Sequence, residues 1–300
     1  MATTQVVAFG AASAVGRPTW YLPVALTTAA LLGWRGHGAF GLAVAALGAV
    51  ALLALAVPLA AFLVRQDPAL VAAAATDPAV LRTLALTAYG PALAAGFAVA
   101  FGVPLALALA RGFPGDTLVA GLVDLPLVVP HSVAGIVVLF GFGRGGVFPS
   151  VAIGSTLAGV VLAFTFVSAP YAVNAARAAF ENVDPDLRRA ARSQGAGPFA
   201  TFRRVELPLA RRGIVTGGVL AWARGVSEFG AVAVVAYTVE TVVPGLGPVA
   251  AQHAPVYVFA VYSTEGLPAA GAVAVVLLAA SGAVFLLVRL VTSETRPGVV

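Results

Sequence analysis

The stretch Thr83–Ala110 reads TLALTAYGPALAAGFAVAFGVPLALALA, 28 residues without one charged side chain. At about 1.5 Å per residue, a helix of that length exceeds the roughly 30 Å of hydrocarbon in a bilayer. The run is continuous. A membrane barrel strand would alternate apolar and polar residues over about ten positions, so this run predicts a membrane-crossing helix. Alanine and glycine dominate it, and small residues let neighbouring helix backbones approach closely.

Working outward from that run, five more of the same kind recur at about 40–64, 117–140, 151–175, 213–237 and 268–290. The whole chain is 60% hydrophobic and 10% charged, with a mean hydropathy of +1.00. Soluble domains carry about 25% charged residues, so this chain has too few to cover a water-soluble surface. The expected fold class is all-α, a multi-pass membrane protein with six core helices in residues 38–292. Residues 1–37 form an N-terminal extension and residues 293–300 a short tail. Within the extension, Tyr21–Gly33 is apolar and lies between Trp20 and Trp34. The tryptophans suit interface anchors, and the run reads equally as a seventh span or as an interfacial segment. Pro58, Pro91, Pro104, Pro126, Pro130 and Pro170 fall in the spans and predict bends, since each removes a backbone donor.

Composition also excludes chemistry. There is no cysteine, hence no disulfide and no thiolate site. All 17 basic residues are arginine. Without lysine the chain cannot form the Gly-Lys-Ser/Thr phosphate loop, so any ATP must be hydrolysed by another chain. A pI near 10.2 raises the question of nucleic acid, but the arginines are distributed as membrane helices require. Thirteen lie in residues 1–37, 111–116, 177–212 and the tail from 289, and three lie in 65–82, 141–150 and 238–267. The arginine-rich side is the cytoplasmic one. The loop 177–212 and the C-terminus are therefore expected inside the cell.

That loop contains RRAARSQGAGPFATFRRVELP, Arg188–Pro208, with five arginines. Asp184 followed by Pro185 predicts a helix start, and Gly195 a left-handed stop. Gly197-Pro198 opens a second short helix, which Leu207-Pro208 is expected to close. Ala190 and Ala191, flanked by arginines, suit docking into a groove on a partner. They suit equally an interfacial loop whose arginines hold anionic lipid heads.

The spacing resembles the cytoplasmic loop motif of binding-protein-dependent ABC importer permeases, Glu-Ala-Ala, three residues, Gly, nine residues, Ile-x-Leu-Pro. Here it reads Arg189-Ala190-Ala191, Gly195, Val205-Glu206-Leu207-Pro208. Arg189 stands where the family usually has Glu, and Val205 where it has Ile. The resemblance implies the type I importer permease fold. It makes Arg189, Ala190, Ala191, Gly195, Leu207 and Pro208 the contact with a separate ATPase subunit, which would hold ATP and magnesium; this chain would hold no cofactor.

Two further stretches, LPLVVPHSVAGIVVLFGFGRGG (Leu125–Gly146) and WARGVSEFGAV (Trp222–Val232), resemble permeases for molybdate, tungstate and sulfate. The Pro130-His131 form is most similar to archaeal-type molybdate/tungstate permeases. On this resemblance Pro130, His131, Ser132, Arg224, Glu228 and Phe229 line the translocation path or its gate. An extracytoplasmic oxyanion-binding protein, a second copy of the chain and membrane lipid are the other expected partners; nucleic acid is not.

From the residues themselves, Arg224 and Glu228 are four apart and share a helix face. They read as a buried ion pair that fixes helix packing, or as a gate element whose Glu228 weakens the grip of Arg224 on a dianion. Asp124 is expected to cap a helix, and His131 to be a polar group at a kink. His37, His131 and His253 have no metal-ligand spacing, and no Ser/His/Asp arrangement or carboxylate pair suggests a catalytic site on this chain. Arg144 in GFGRGG reads as an anion contact or as an ordinary turn. The alternatives carried forward are a sulfate or phosphate permease, a passive anion channel, and a membrane enzyme. The last would need clustered acidic or histidine groups, which the sequence lacks.

Overall fold

The computed structural model describes residues 38–143, 145–147, 153–245 and 247–293. The apolar run Tyr21–Gly33, Arg144 and the end of the tail lie outside these residues. The chain divides into two units, the first ending at Asp67 and the second starting at Pro68. In the first unit, α1 (Gly38–Val64) is a 27-residue helix without a charge, with Pro58 in its interior.

The second unit begins with α2 (Pro68–Thr76) and α3 (Pro78–Arg111). Asp77 caps α3 by accepting the Ala79 N–H at 2.7 Å, and Pro78 takes the first helical position. α4 (Asp116–Val128), α5 (His131–Phe142), α6 (Leu157–Glu181) and α7 (Pro185–Ser193) follow. α8 (Pro198–Thr201) continues through a π-helical turn, Phe202–Glu206, into α9 (Leu207–Val226). Next come α10 (Gly230–Val235), the hairpin β1 (Val239–Val243) and β2 (Gly247–Ala251), α11 (Ala254–Glu265) and α12 (Leu267–Ser293).

The framework is the α3–α6–α9 trio. Gly213 and Gly217 of α9 lie against Ala172, Ala175 and Ala179 of α6, a seam of small residues of the kind that brings membrane helices together. Phe164 and Phe180 of α6 are fully enclosed. Phe164 packs with Leu86, Val160, Val232, Val239 and Val256; Phe180 packs with Ala106, Leu109, Val173, Ala176 and Ala210 toward the other end of α6. The outward faces stay apolar, as at Phe97 and Phe101 of α3, which are 45% and 65% exposed. Lipid, not water, suits such a surface.

Among the described residues, four helices are long and apolar enough to cross a membrane: Gly38–Val64, Pro78–Arg111, Leu157–Glu181 and Leu267–Leu286. The expected spans 117–140 and 213–237 are each broken in two. The first breaks at Val129-Pro130. Proline has no N–H to donate and pushes the residue before it out of the helical region, and Val129 is extended at φ −74°, ψ 130°. The second breaks at Ser227–Phe229, between α9 and α10.

Two local expectations are corrected. Leu207-Pro208 closes no helix: it forms the first turn of α9. Pro208 cannot donate to the carbonyl four residues back, and the backbone widens there so that the Leu207 N–H reaches the Phe202 carbonyl, five residues away. Asp124 caps nothing: it lies inside α4, and its Oδ1 accepts from Asn174 Nδ2 at 2.7 Å. Among the described residues the helical fold also carries a β element, the antiparallel pair β1–β2, with Val239 opposite Ala251 and Val243 opposite Gly247.

Candidate functional site: two broken helices and an arginine-edged hairpin

The two helix breaks meet. His131, the first residue of α5, faces Glu228 in the gap between α9 and α10, with Nδ1 and Oε2 2.8 Å apart. The approach depends on small residues. A Cβ at Gly230 would lie 2.9 Å from both His131 Cβ and the Ser132 amide nitrogen, and one at Gly135 would lie 2.7 Å from the Ala231 carbonyl. Glycine at both positions lets the starts of α5 and α10 touch.

Glu228 organises this point. Its side chain is fully buried. Oε2 accepts from Arg224 Nη2 at 2.6 Å, and Oε1 accepts from the Ala231 N–H at 2.8 Å. One oxygen therefore neutralises an arginine while the other satisfies a donor that the helix break leaves open. Arg224 Nη2 also lies 3.0 Å from His131 Nε2. The same Nη2 lies 2.7 Å from His131 Nδ1, so the guanidinium, the imidazole and the Glu228 carboxylate crowd one point, and no single tautomer serves every contact.

Exposure rises across the cluster, from 0% for Glu228 to 15% for Arg224 and 51% for His131. The basic groups thus present an edge to the outside of this one chain while the acid stays behind them. Of the other residues expected on the path, Pro130 is the N-cap of α5 and Ser132 lies in its first turn, against Gly230. Phe229 stands between Glu228 and α10, its ring edge-on to Phe259 of α11 at 5.4 Å.

The basic hairpin forms a second site. Asp184 caps α7 by accepting the Asp186 N–H at 2.8 Å, and Gly195 ends it at φ +84°. α7 buries none of its residues. Ala190 is exposed, Leu187 is 46% exposed and Phe199 of α8 is 72% exposed. Arg189 pairs along its own helix with Asp186.

Two residues the sequence reading did not single out tie this hairpin to the spans. Glu206, 1% exposed at the end of the π-helical turn, accepts from Arg111 at the end of α3 at 2.6 Å and faces Arg188 of α7 at 3.6 Å. The available signal was a lone carboxylate just before Leu-Pro in a segment otherwise basic. Among the described residues there is no cluster of three or more potential metal ligands.

Comparison with known proteins adds the following. Residues 98–296 match the family described as binding-protein-dependent transport system inner membrane component. The molybdate/tungstate transport system permease protein WtpB of Pyrococcus abyssi is 36% identical over 258 residues, covering 84% of this chain and 95% of that protein. A probable molybdenum ABC transporter permease protein of Haloferax volcanii is 39% identical over 246 residues, covering 81% of this chain and 87% of its own. The molybdenum transport system permease protein ModB of Mycobacterium tuberculosis is 40% identical over 185 residues, covering 59% and 69%.

Proposed function

This chain belongs to the binding-protein-dependent transport system inner membrane components, and we propose that it forms the path by which a molybdate- or tungstate-type oxyanion enters the cell. The observation that carries this reading is the meeting of two broken helices at Arg224, His131 and Glu228. A broken membrane helix directs the positive end of its dipole and its open amides into the interior, a setting suited to anions. α5 begins there, at His131.

A bare buried arginine would hold a dianion strongly and release it slowly. Glu228 lies 2.6 Å from Arg224, so the path keeps a positive edge without a deep trap. Low affinity on the path places selection on the extracytoplasmic binding protein. Two copies of the chain would face their His131–Arg224 edges across a shared channel, because one six-span unit cannot enclose it.

Transport is driven from another subunit. The chain has no lysine for a phosphate loop, so ATP and magnesium belong to an ATPase partner. That partner would grip α7 through Leu187, Ala190 and Ala191 on the cytoplasmic side, where the arginine excess also puts the C-terminus. In the plane of the membrane the apolar outer faces contact lipid. Catalysis has no place on this chain.

Reconstitution with an ATPase subunit and an oxyanion-binding protein of the same transport class tests the whole reading. ATP-dependent uptake of molybdate or tungstate is expected, and Arg224→Gln should reduce it by at least tenfold. Uptake of sulfate alone would shift the assignment to a sulfate permease. Anion flux without ATPase or binding protein would make the chain a passive channel.

A further inference from the structure

The arginines of α7 do not all point where a docking partner would sit. At about 100° per residue, Leu187, Ala190 and Ala191 share one face of the helix, and Pro185, Arg188, Arg189 and Arg192 share the opposite one. With Arg111 from the end of α3, this second group lines a cavity of about 340 Å³. The arginine face and the apolar face are therefore separate surfaces.

Four guanidinium groups line the cavity, and two carboxylates answer them. Glu206, buried at 1% exposure, takes Arg111 at 2.6 Å and Arg188 at 3.6 Å. Asp186 takes Arg189. Arg192 makes no ion pair among the described residues. Two positive charges are left over in one concave space. Like charges held this close repel unless a counter-anion joins them. Arg111 and Arg188 are held on the cavity wall by a buried acid, so a bound anion would meet guanidinium groups already oriented.

We propose that the cavity between α7 and the end of α3 binds a tetrahedral oxyanion group. Planar guanidinium forks match such a group with paired N–H donors. Two sources supply this chemistry on the cytoplasmic face: a free inorganic oxyanion, and the phosphate of an anionic lipid head. The Arg at position 189, where the resembling motif carries Glu, is then one wall of the site. Glutamate there would remove two units of positive charge relative to arginine and leave the cavity without an excess. Once bound, the anion joins α7 to the end of α3 across the cavity, beside the link that Glu206 already makes.

The test uses the purified full-length chain, without transport. Tungstate, sulfate and phosphate are titrated against delipidated protein by equilibrium dialysis, and native mass spectrometry counts phosphatidylglycerol retained from mixed micelles. The variants are Arg192→Gln and Arg189→Glu, both at exposed positions where the fold is undisturbed, and Arg224→Gln as a probe of the membrane path. Saturable binding of a free anion that weakens about tenfold in the first two variants and persists in the third assigns the site to a free oxyanion. Retained phosphatidylglycerol with the same pattern, and no free-anion binding, assigns it to a lipid head. Binding abolished by Arg224→Gln alone, binding indifferent to all three variants, or no binding of either probe overturns the proposal. Each of those results leaves the transport reading to be judged by uptake.

Discussion

At the scale of single residues, Glu228 does two jobs that different substitutions separate. Glu228→Gln keeps an oxygen for the Ala231 N–H, 2.8 Å away, but removes the charge opposite Arg224. Glu228→Ala removes both. Breaking a buried pair by deleting one partner costs on the order of 3 kcal/mol or more. The alanine variant is therefore expected to unfold at a clearly lower temperature in detergent. The glutamine variant should lose less stability yet transport slowly, because an uncompensated Arg224 retains the oxyanion. A glutamine variant with normal turnover and unchanged oxyanion retention would remove Glu228 from the path. His253 supplies a second residue-scale prediction. It lies between β2 and α11, fully buried and edge-on to Phe164 at 4.8 Å, with the backbone of Gly225 and Val226 at the end of α9 beside its ring. Burial pushes its pKa down from 6.5 to about 4. Below pH 6.5 the unfolded chain therefore binds a proton that the folded chain refuses. Stability should be flat above pH 6.5 and fall as pH drops toward 4. His253→Leu should show a shallower loss over that window in thermal unfolding; identical slopes would assign the acid sensitivity to other groups.

At the scale of elements, the turn after α7 is where strain and space can be told apart. Gly195 sits at φ +84°, and a Cβ there would meet nothing within 4 Å. Its requirement is conformational, about 1–2 kcal/mol for an ordinary residue forced left-handed. Gly195→Asn should be nearly harmless, since asparagine tolerates that region, whereas Gly195→Val should re-aim α7. The expected readout is loss of binding-protein-stimulated ATPase and of transport with valine, with membrane insertion intact in both variants. Equal behaviour of the two would show that the left-handed turn is not what positions α7. This turn was legible in the sequence because Asp184-Pro185 and Gly195 are local signals with local causes. The break at Val129-Pro130 was half legible: proline announced a bend, but Pro91, Pro104, Pro126 and Pro170 stay inside their helices. The difference at Pro130 is tertiary, because the start of α5 is held against Gly230. The break at Ser227–Phe229 carried no proline to announce it. Only the Arg224–Glu228 spacing marked it, and that spacing also suits an unbroken helix. The β1–β2 hairpin was missed for a similar reason. Its strands are five residues each, too short to stand out beside runs of 25 apolar residues, and Val239 becomes core only by meeting α3 and α6.

At the scale of the whole molecule, every functional assignment depends on which end of the second unit faces the cytoplasm, and composition makes that directly measurable. The chain has no cysteine, so a single introduced thiol reports without a background to remove. Ala190 of α7 and Glu240 of β1 are both exposed, and single cysteines at these places disturb no buried contact. If α7 meets an ATPase and the hairpin side meets a secreted binding protein, the two sites must be opposite in accessibility. An impermeant maleimide added to intact cells should label Glu240→Cys and spare Ala190→Cys, and inverted vesicles should reverse the pattern. The arginine distribution argues for this outcome, since thirteen of the 17 lie on the side assigned to the cytoplasm. The Glu206–Arg111–Arg188 cluster stands where α3 ends, and a motor needs such a rigid link between its docking helix and a span. Labelling of Ala190→Cys from outside intact cells would detach the hairpin from any ATPase and make its arginines a surface for an extracellular partner. Labelling that leaves Ala190→Cys protected until ATP hydrolysis in the assembled complex would show the docking face opening with the transport cycle.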